Sequence, residues 1–259
     1  MNNILRKMNV VVDRIKGVTG CSFAWKIHTR IVKLLCSSND WKNRDSQFIR
    51  QGFKIGTLSD FRLSSLKDCL KTARILPVKR SDPIPWHAPI EISEQQRSMF
   101  AKGFRFYDLS QSGETVSQVL CDIIPLIRKC LGYGVRVVNV RCWGLLPNSP
   151  IFASNTWHSD FFPEGLYKVL IYISPPGSAT GTTELKLDGG EVFSLNGPPG
   201  SWVFFDSTKI THRGIAPEAE ERIVMEITTA PTFTENARPN FLGNNSAYPL
   251  YPWITPKYL

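Results

Sequence analysis

From residue 134 onward the chain breaks into short runs, "GVRVVNVRCWGLL", "GLYKVLIYIS", "GGEVFSLN", "GSWVFFDS" and "ERIVMEITTA", each bounded by Gly or Pro. Each run is rich in Val, Ile and aromatic residues, which suit a pleated strand, and no helical period separates them. Strands that follow one another without crossover helices pair antiparallel, so this half predicts a β-sandwich or barrel. At 259 residues the chain is long enough to bury a large core, and all-β folds of this length often form one domain.

The upstream sequence has a different period. "SGETVSQVLCDIIPLIRKCLG" reads as a helix with Ser112 as cap, a kink near Pro125 and a stop at Gly132 or Gly134. A second helix is expected around 60–75, after a short apolar segment and a turn in "FIRQGFKIGTLSD". Such helices can cover one outer face of the sheet. Between them, "PVKRSDPIPWHAPIEIS" holds too many prolines for regular structure, and His87 within it reads as a packed loop residue.

Residues 1–80 carry 17 Lys+Arg against 5 Asp+Glu, and the remainder 14 against 17, so the net charge of +9 arises entirely at the front. There, "NNILRKMNVVVDRIKG" and "FAWKIHTRIVKLLC" place apolar residues at helical spacing among lysines and arginines, with His28 an ordinary residue of the second. These basic amphipathic helices either pack their apolar stripes on the main body or touch an anionic membrane surface or acidic partner. No nucleic-acid-reading motif accompanies the charge, and no nucleic acid is expected. The six cysteines show neither C-x-x-C spacing nor a small disulfide framework, and no apolar run has the length of a membrane span or the form of a secretory signal. A reduced, cytoplasmic setting is expected. The tail after residue 232 holds four prolines and several aromatics, as suits an extended segment packed over the body, a lid or an oligomer contact, and no oligomeric state is legible.

The residues that carry chemistry lie among the strands. In "TWHSDFFPEG", His158 and Asp160 are two apart, so an extended backbone turns both side chains to one face. About fifty residues later "THRG" delivers His212 from a turn, and ten residues beyond that Arg222 opens the next strand. Two imidazoles and one carboxylate form a facial ligand set that leaves positions open on a ferrous ion. An arginine on a strand running back beside the histidine suits the far carboxylate of a dicarboxylate that also chelates the metal. Asn139 and Arg141 share one face of the strand before "WHSD", where they would line the barrel mouth and meet the keto acid end or the substrate. Trp157 reads as a packing residue, Arg213 as a surface arginine, and Asp206 as the cap of the turn before His212.

Taken in order, "WHSDF", "YKVLIYIS", "PGSWVFFDS", "THRGIAP" and "ERIVMEIT" resemble the phytanoyl-CoA dioxygenase family of Fe(II)/2-oxoglutarate-dependent oxygenases, over roughly residues 48–232. The resemblance implies a mainly β fold with flanking helices: a double-stranded β-helix (jelly roll, cupin-like) whose larger sheet is buttressed by helices. It implies Fe(II) on His158, Asp160 and His212, with 2-oxoglutarate and O2 as cosubstrates and Arg222 on the far carboxylate. The implied reaction is hydroxylation of an unactivated C–H bond with release of succinate and CO2. With Asp160 present, the position that related halogenases leave for a halide is filled. The chain departs from the pattern at Gly214, where many members carry a serine that helps hold the cosubstrate; Tyr172 or Lys168 could substitute. The implied organisation is a basic helical extension at 1–45, an oxygenase domain at 46–232 and a tail at 233–259. The substrate is a small or lipid-linked molecule, and the basic front favours an anionic one. Two alternatives stand beside this: a zinc hydrolase on the same ligands, and a non-catalytic jelly-roll binding module.

Overall fold

A computed structural model describes residues 27, 29–34, 44–76, 103–149, 155–160 and 165–232, with the side chains of Val138 and Asn139 excepted. Of residues 1–45 only 27, 29–34, 44 and 45 are described; the Pro-rich connector with His87, residue His28 and the tail lie outside the described residues.

The chain order is α1 (Ser46–Gln51), β1 (Phe53–Thr57), α2 (Asp60–Thr72), β2 (Ile75–Leu76), β3 (Phe104–Tyr107), α3 (Gly113–Leu131) and β4 (Val135–Leu145). It continues with β5 (Tyr167–Tyr172), β6 (Thr183–Lys186), β7 (Val192–Ser194), β8 (Ser201–Phe205), β9 (Thr211–Gly214) and β10 (Arg222–Pro231). Among the described residues the strands form a larger sheet, in the order β1-β8-β5-β10-β4-β3-β2, and a smaller one, β7-β6-β9. Among the described residues every strand pairing is antiparallel. The fold is mainly β, a double-stranded β-helix with helices on its larger sheet.

The central strands β5, β8 and β10 are apolar on both faces because each face meets a different core. Outward, Val169, Ile171, Phe204, Met225 and Ile227 pack against α2 and α3, whose buried residues include Leu63, Leu66, Leu120 and Ile123. Inward, Leu170, Tyr172, Val203, Phe205 and Val224 meet Leu185 of the smaller sheet and Leu195 just after β7. Val116, Val119, Leu120, Ile123, Ile124 and Ile127 give α3 a continuous apolar stripe at the three- and four-residue spacing of one helix face. That helix ends at Gly132, whose φ of 74° is the left-handed conformation glycine adopts cheaply, with its N–H on the Arg128 carbonyl. Ser112 stands at the N-cap position but makes no side-chain capping bond, and the helix continues through Pro125.

The sequence missed the short strands β2, β3 and β6, and it read β9 as a turn. β9 has four residues and its partner β6 also has four, too few for alternation to stand out. The four described cysteines, Cys69, Cys121, Cys130 and Cys142, are free thiols.

Candidate active site

His158 and His212 meet across the mouth of the barrel. Their backbones form a reciprocal pair, His158 N–H donating to the His212 carbonyl at 3.0 Å and His212 N–H to the His158 carbonyl at 2.7 Å. This is an isolated antiparallel bridge and not a full strand, so "WHSD" is extended only at its ligand residue. Asp160 is then set by its own N–H, which donates to the Ser207 carbonyl at 2.7 Å in the turn that Asp206 caps by accepting from Thr208 N–H at 3.1 Å.

The three side chains converge. One ligand atom from each lies within 4.8 Å of the others, and Asp160 Oδ1 stands 3.9 Å from Nε2 of both histidines. His158 Nδ1 donates to the Thr156 carbonyl at 2.8 Å and His212 Nδ1 to the Ile210 carbonyl at 3.0 Å. A carbonyl only accepts, so each bond fixes the proton on Nδ1 and leaves the Nε2 lone pair aimed at the shared point. Burial pushes the His212 imidazolium down to about 3, with Lys168 and His158 adding to it and Asp160 opposing, so this ring is neutral at physiological pH. Two imidazoles presenting Nε2 and a carboxylate sharing one point make a donor set that fits a divalent transition metal.

Arg222 is placed differently from the expectation. β9 and β10 do not pair; the chain crosses from the smaller sheet to the larger between them, as consecutive strands of a jelly roll do. The guanidinium instead reaches across the barrel, Nη1 donating to the carbonyls of Thr182 at 2.9 Å and Ile215 at 2.8 Å, with the Trp143 ring centroid 5.0 Å from Cζ. Arg222 is 1% exposed, its Nε has no hydrogen-bond partner, and no ion pair reaches it among the described residues. Burial lowers its pKa, yet a guanidinium stays charged in proteins, so a full cation is held inside the barrel without a counter-ion. Gly214 belongs to this arrangement. A Cβ there would stand 2.8 Å from both Nη1 and Nη2, so the missing serine leaves room for the guanidinium.

The other expected site residues divide. Tyr172 lies inward beside Arg222 and its hydroxyl shares a hydrogen bond with Thr183 Oγ1 at 2.6 Å. Arg141 also faces inward, but it is held by Glu226, Nη2 to Oε2 at 2.8 Å. The side chain of Asn139 lies outside the described ones; its backbone pairs with Thr228. Lys168 is not turned toward Arg222's end of the barrel: its Nζ is 2.5 Å from Asp160 Oδ2. Trp157 stacks on Arg213, whose Cζ is 4.5 Å from the ring centroid while Nε donates to Glu184 at 2.7 Å.

Glu226 was not singled out from the sequence. Burial opposes its ionisation, but the charges of Arg141 and Lys168 and the Arg141 hydrogen bond outweigh burial and hold its carboxyl below the ordinary value. The signal was present: Lys168 is the one charge in "YKVLIY" and Glu226 the one acid in "RIVMEITTA", both on strands buried on both faces.

Neither a family model nor a curated protein matches the sequence. Among solved structures, the chain is similar to the non-haem α-ketoglutarate-dependent epimerase SnoN from nogalamycin biosynthesis, with a TM-score of 0.53, 13% identity, and 79% of this chain and 88% of that one covered. SnoN in complex with Fe3+, α-ketoglutarate and nogalamycin RO gives the same TM-score of 0.53 at 13% identity, covering 79% of this chain and 91% of that one. A weaker likeness, with a TM-score of 0.49 and 14% identity over 73% of this chain and 86% of the other, is to HygX from Streptomyces hygroscopicus with nickel, 2-oxoglutarate and hygromycin B bound. The fold of this chain is the one SnoN has.

Proposed function

We propose that the protein is an Fe(II)- and 2-oxoglutarate-dependent dioxygenase of the phytanoyl-CoA dioxygenase type, hydroxylating an unactivated C–H bond of a small-molecule or lipid-linked substrate with release of succinate and CO2. One observation carries this: a ligand triad at the barrel mouth and, inside the same barrel, a buried guanidinium that no counter-ion reaches among the described residues. A lone metal site would explain the first, and a bound anion explains the second. Nε2 of His158, Nε2 of His212 and Oδ1 of Asp160 hold the metal, and the free edge of Arg222 takes the far carboxylate of 2-oxoglutarate with Tyr172 beside it. When bound, iron with 2-oxoglutarate and O2 supplies the oxidising power. The chain's own residues keep two rings in the Nε2-ligating tautomer and present one carboxylate oxygen. A hydrolase using zinc on the same triad leaves Arg222 without a role.

The test is Fe(II)-dependent conversion of 2-oxoglutarate to succinate, followed by NMR without added substrate. Slow succinate formation by wild type that is abolished in His212→Ala is expected; no succinate above the metal-free blank from iron-loaded wild type would contradict the proposal.

The basic front segment supports peripheral contact with an anionic membrane and an anionic substrate in a cytoplasmic setting. No described helix is long and apolar enough to cross a membrane. Salt-sensitive binding to vesicles containing phosphatidylserine should disappear on deleting residues 1–45; binding unchanged by the deletion would refute the contact.

A further inference from the structure

Lys168 is 6% exposed, at the middle of the larger sheet, facing Thr228 of β10 on one side and Phe205 of β8 on the other. Two buried carboxylates are within its electrostatic reach, Glu226 and Asp160. Arg141 already grips Glu226, and the lysine head goes to Asp160 Oδ2 at 2.5 Å. The two oxygens of Asp160 therefore face different ways. Oδ2 meets an ammonium, and Oδ1 is the atom 3.9 Å from both imidazole Nε2 atoms.

A carboxylate ligates a metal through one oxygen or through both. In the second mode it fills a position that a three-residue facial set must leave open for other ligands. We infer that Lys168 is a positioning residue that ties up Oδ2 and restricts Asp160 to one-oxygen ligation. This rests on the proposed function. The ammonium also opposes the metal's charge, so Lys168 lowers metal affinity while keeping a coordination position open. A lysine suits the task because its compact head makes a point contact at the end of an apolar stem that packs among strand residues.

The test is anaerobic titration of the full chain with Co(II), whose visible absorption reports coordination, first alone and then with 2-oxoglutarate. Wild type is compared with Lys168→Met and Lys168→Arg, and circular dichroism checks folding. In Lys168→Met, Co(II) binds at least as tightly as in wild type, its spectrum without 2-oxoglutarate is altered, and 2-oxoglutarate binds at least tenfold more weakly. Lys168→Arg returns both readouts toward wild type. An unaltered Co(II) spectrum in Lys168→Met overturns the inference, and if 2-oxoglutarate affinity alone falls, Lys168 touches the cosubstrate directly. Should the Met variant fail to fold, Lys168→Gln, polar but uncharged, carries the same comparison. Wild type that binds Co(II) but not 2-oxoglutarate defeats the proposed function, and this inference with it.

Discussion

Replacing Arg222 by methionine separates ligand binding from folding. In the ligand-free protein the guanidinium is a buried cation whose Nη1 bonds, among the described residues, to the carbonyls of Thr182 and Ile215. Thr182's carbonyl keeps a second donor, Ile215 N–H at 2.7 Å, so the substitution strands chiefly the Ile215 carbonyl. That costs about 1–3 kcal/mol, against a penalty of several kcal/mol for a buried charge without a partner, which methionine relieves. The ligand-free variant is therefore as stable as wild type or more so. Binding behaves oppositely. Removing one partner of a buried, hydrogen-bonded charge pair costs about 2–5 kcal/mol, which raises the Kd for 2-oxoglutarate about 30- to 3,000-fold. With Mn(II) present and 2-oxoglutarate at ~100 times its Kd, wild type gains ~2.7 kcal/mol, or roughly 5–11 °C in Tm, while Arg222→Met gains no more than about 3 °C. Thermal melts with and without 2-oxoglutarate measure both. A variant that keeps the full ligand-induced shift, or that melts well below wild type without ligand, refutes the reasoning.

Gly214→Ala puts a Cβ 2.8 Å from both terminal nitrogens of Arg222 and should weaken 2-oxoglutarate about tenfold while leaving Co(II) affinity unchanged, as calorimetry would show. Gly56→Ala drives a Cβ into Trp202 Cζ2 across the β1–β8 ladder; such overpacking costs about 1–3 kcal/mol and lowers Tm by several degrees. Asp45 caps α1 by accepting from Phe48 N–H at 2.9 Å and pairs with Lys54 at 3.0 Å, so Asp45→Ala loses about 1 kcal/mol in denaturant melts at pH 7. Burial opposes ionisation of Asp45, but its hydrogen bonds and Lys54 depress the carboxyl below 3.8. A depressed carboxyl stabilises above its unfolded pKa, so the difference between wild type and variant persists at neutral pH and vanishes only as the pH falls below that value.

The strand half was legible where its runs are apolar and bounded by Gly or Pro, so β4, β5, β7, β8 and β10 follow those five runs, whereas the four-residue β6 and β9 lie outside them. The ligand triad was legible because H-x-D needs no knowledge of partners: its geometry is local. Arg222's position was half legible. Spacing put it near His212, but sequence could not say that β9 and β10 belong to opposite sheets, because sheet membership is decided by contacts between distant segments. The same limit hid the duty of Lys168, which depends on a pairing between a strand and the loop before it. Gly214 looked like a departure from the pattern until the guanidinium filling its space was seen.

The measurement that bears most directly on the proposed oxygenase chemistry is anaerobic titration of the apoprotein with Fe(II) and 2-oxoglutarate, observing the visible charge-transfer band of a keto acid chelated to ferrous iron. Wild type should develop the band, His158→Ala should not, and Arg222→Ala should need far more 2-oxoglutarate to reach it. Iron-loaded wild type that gives no band at saturating 2-oxoglutarate would contradict the proposed cosubstrate and leave His158, Asp160 and His212 to another metal chemistry or to a binding role.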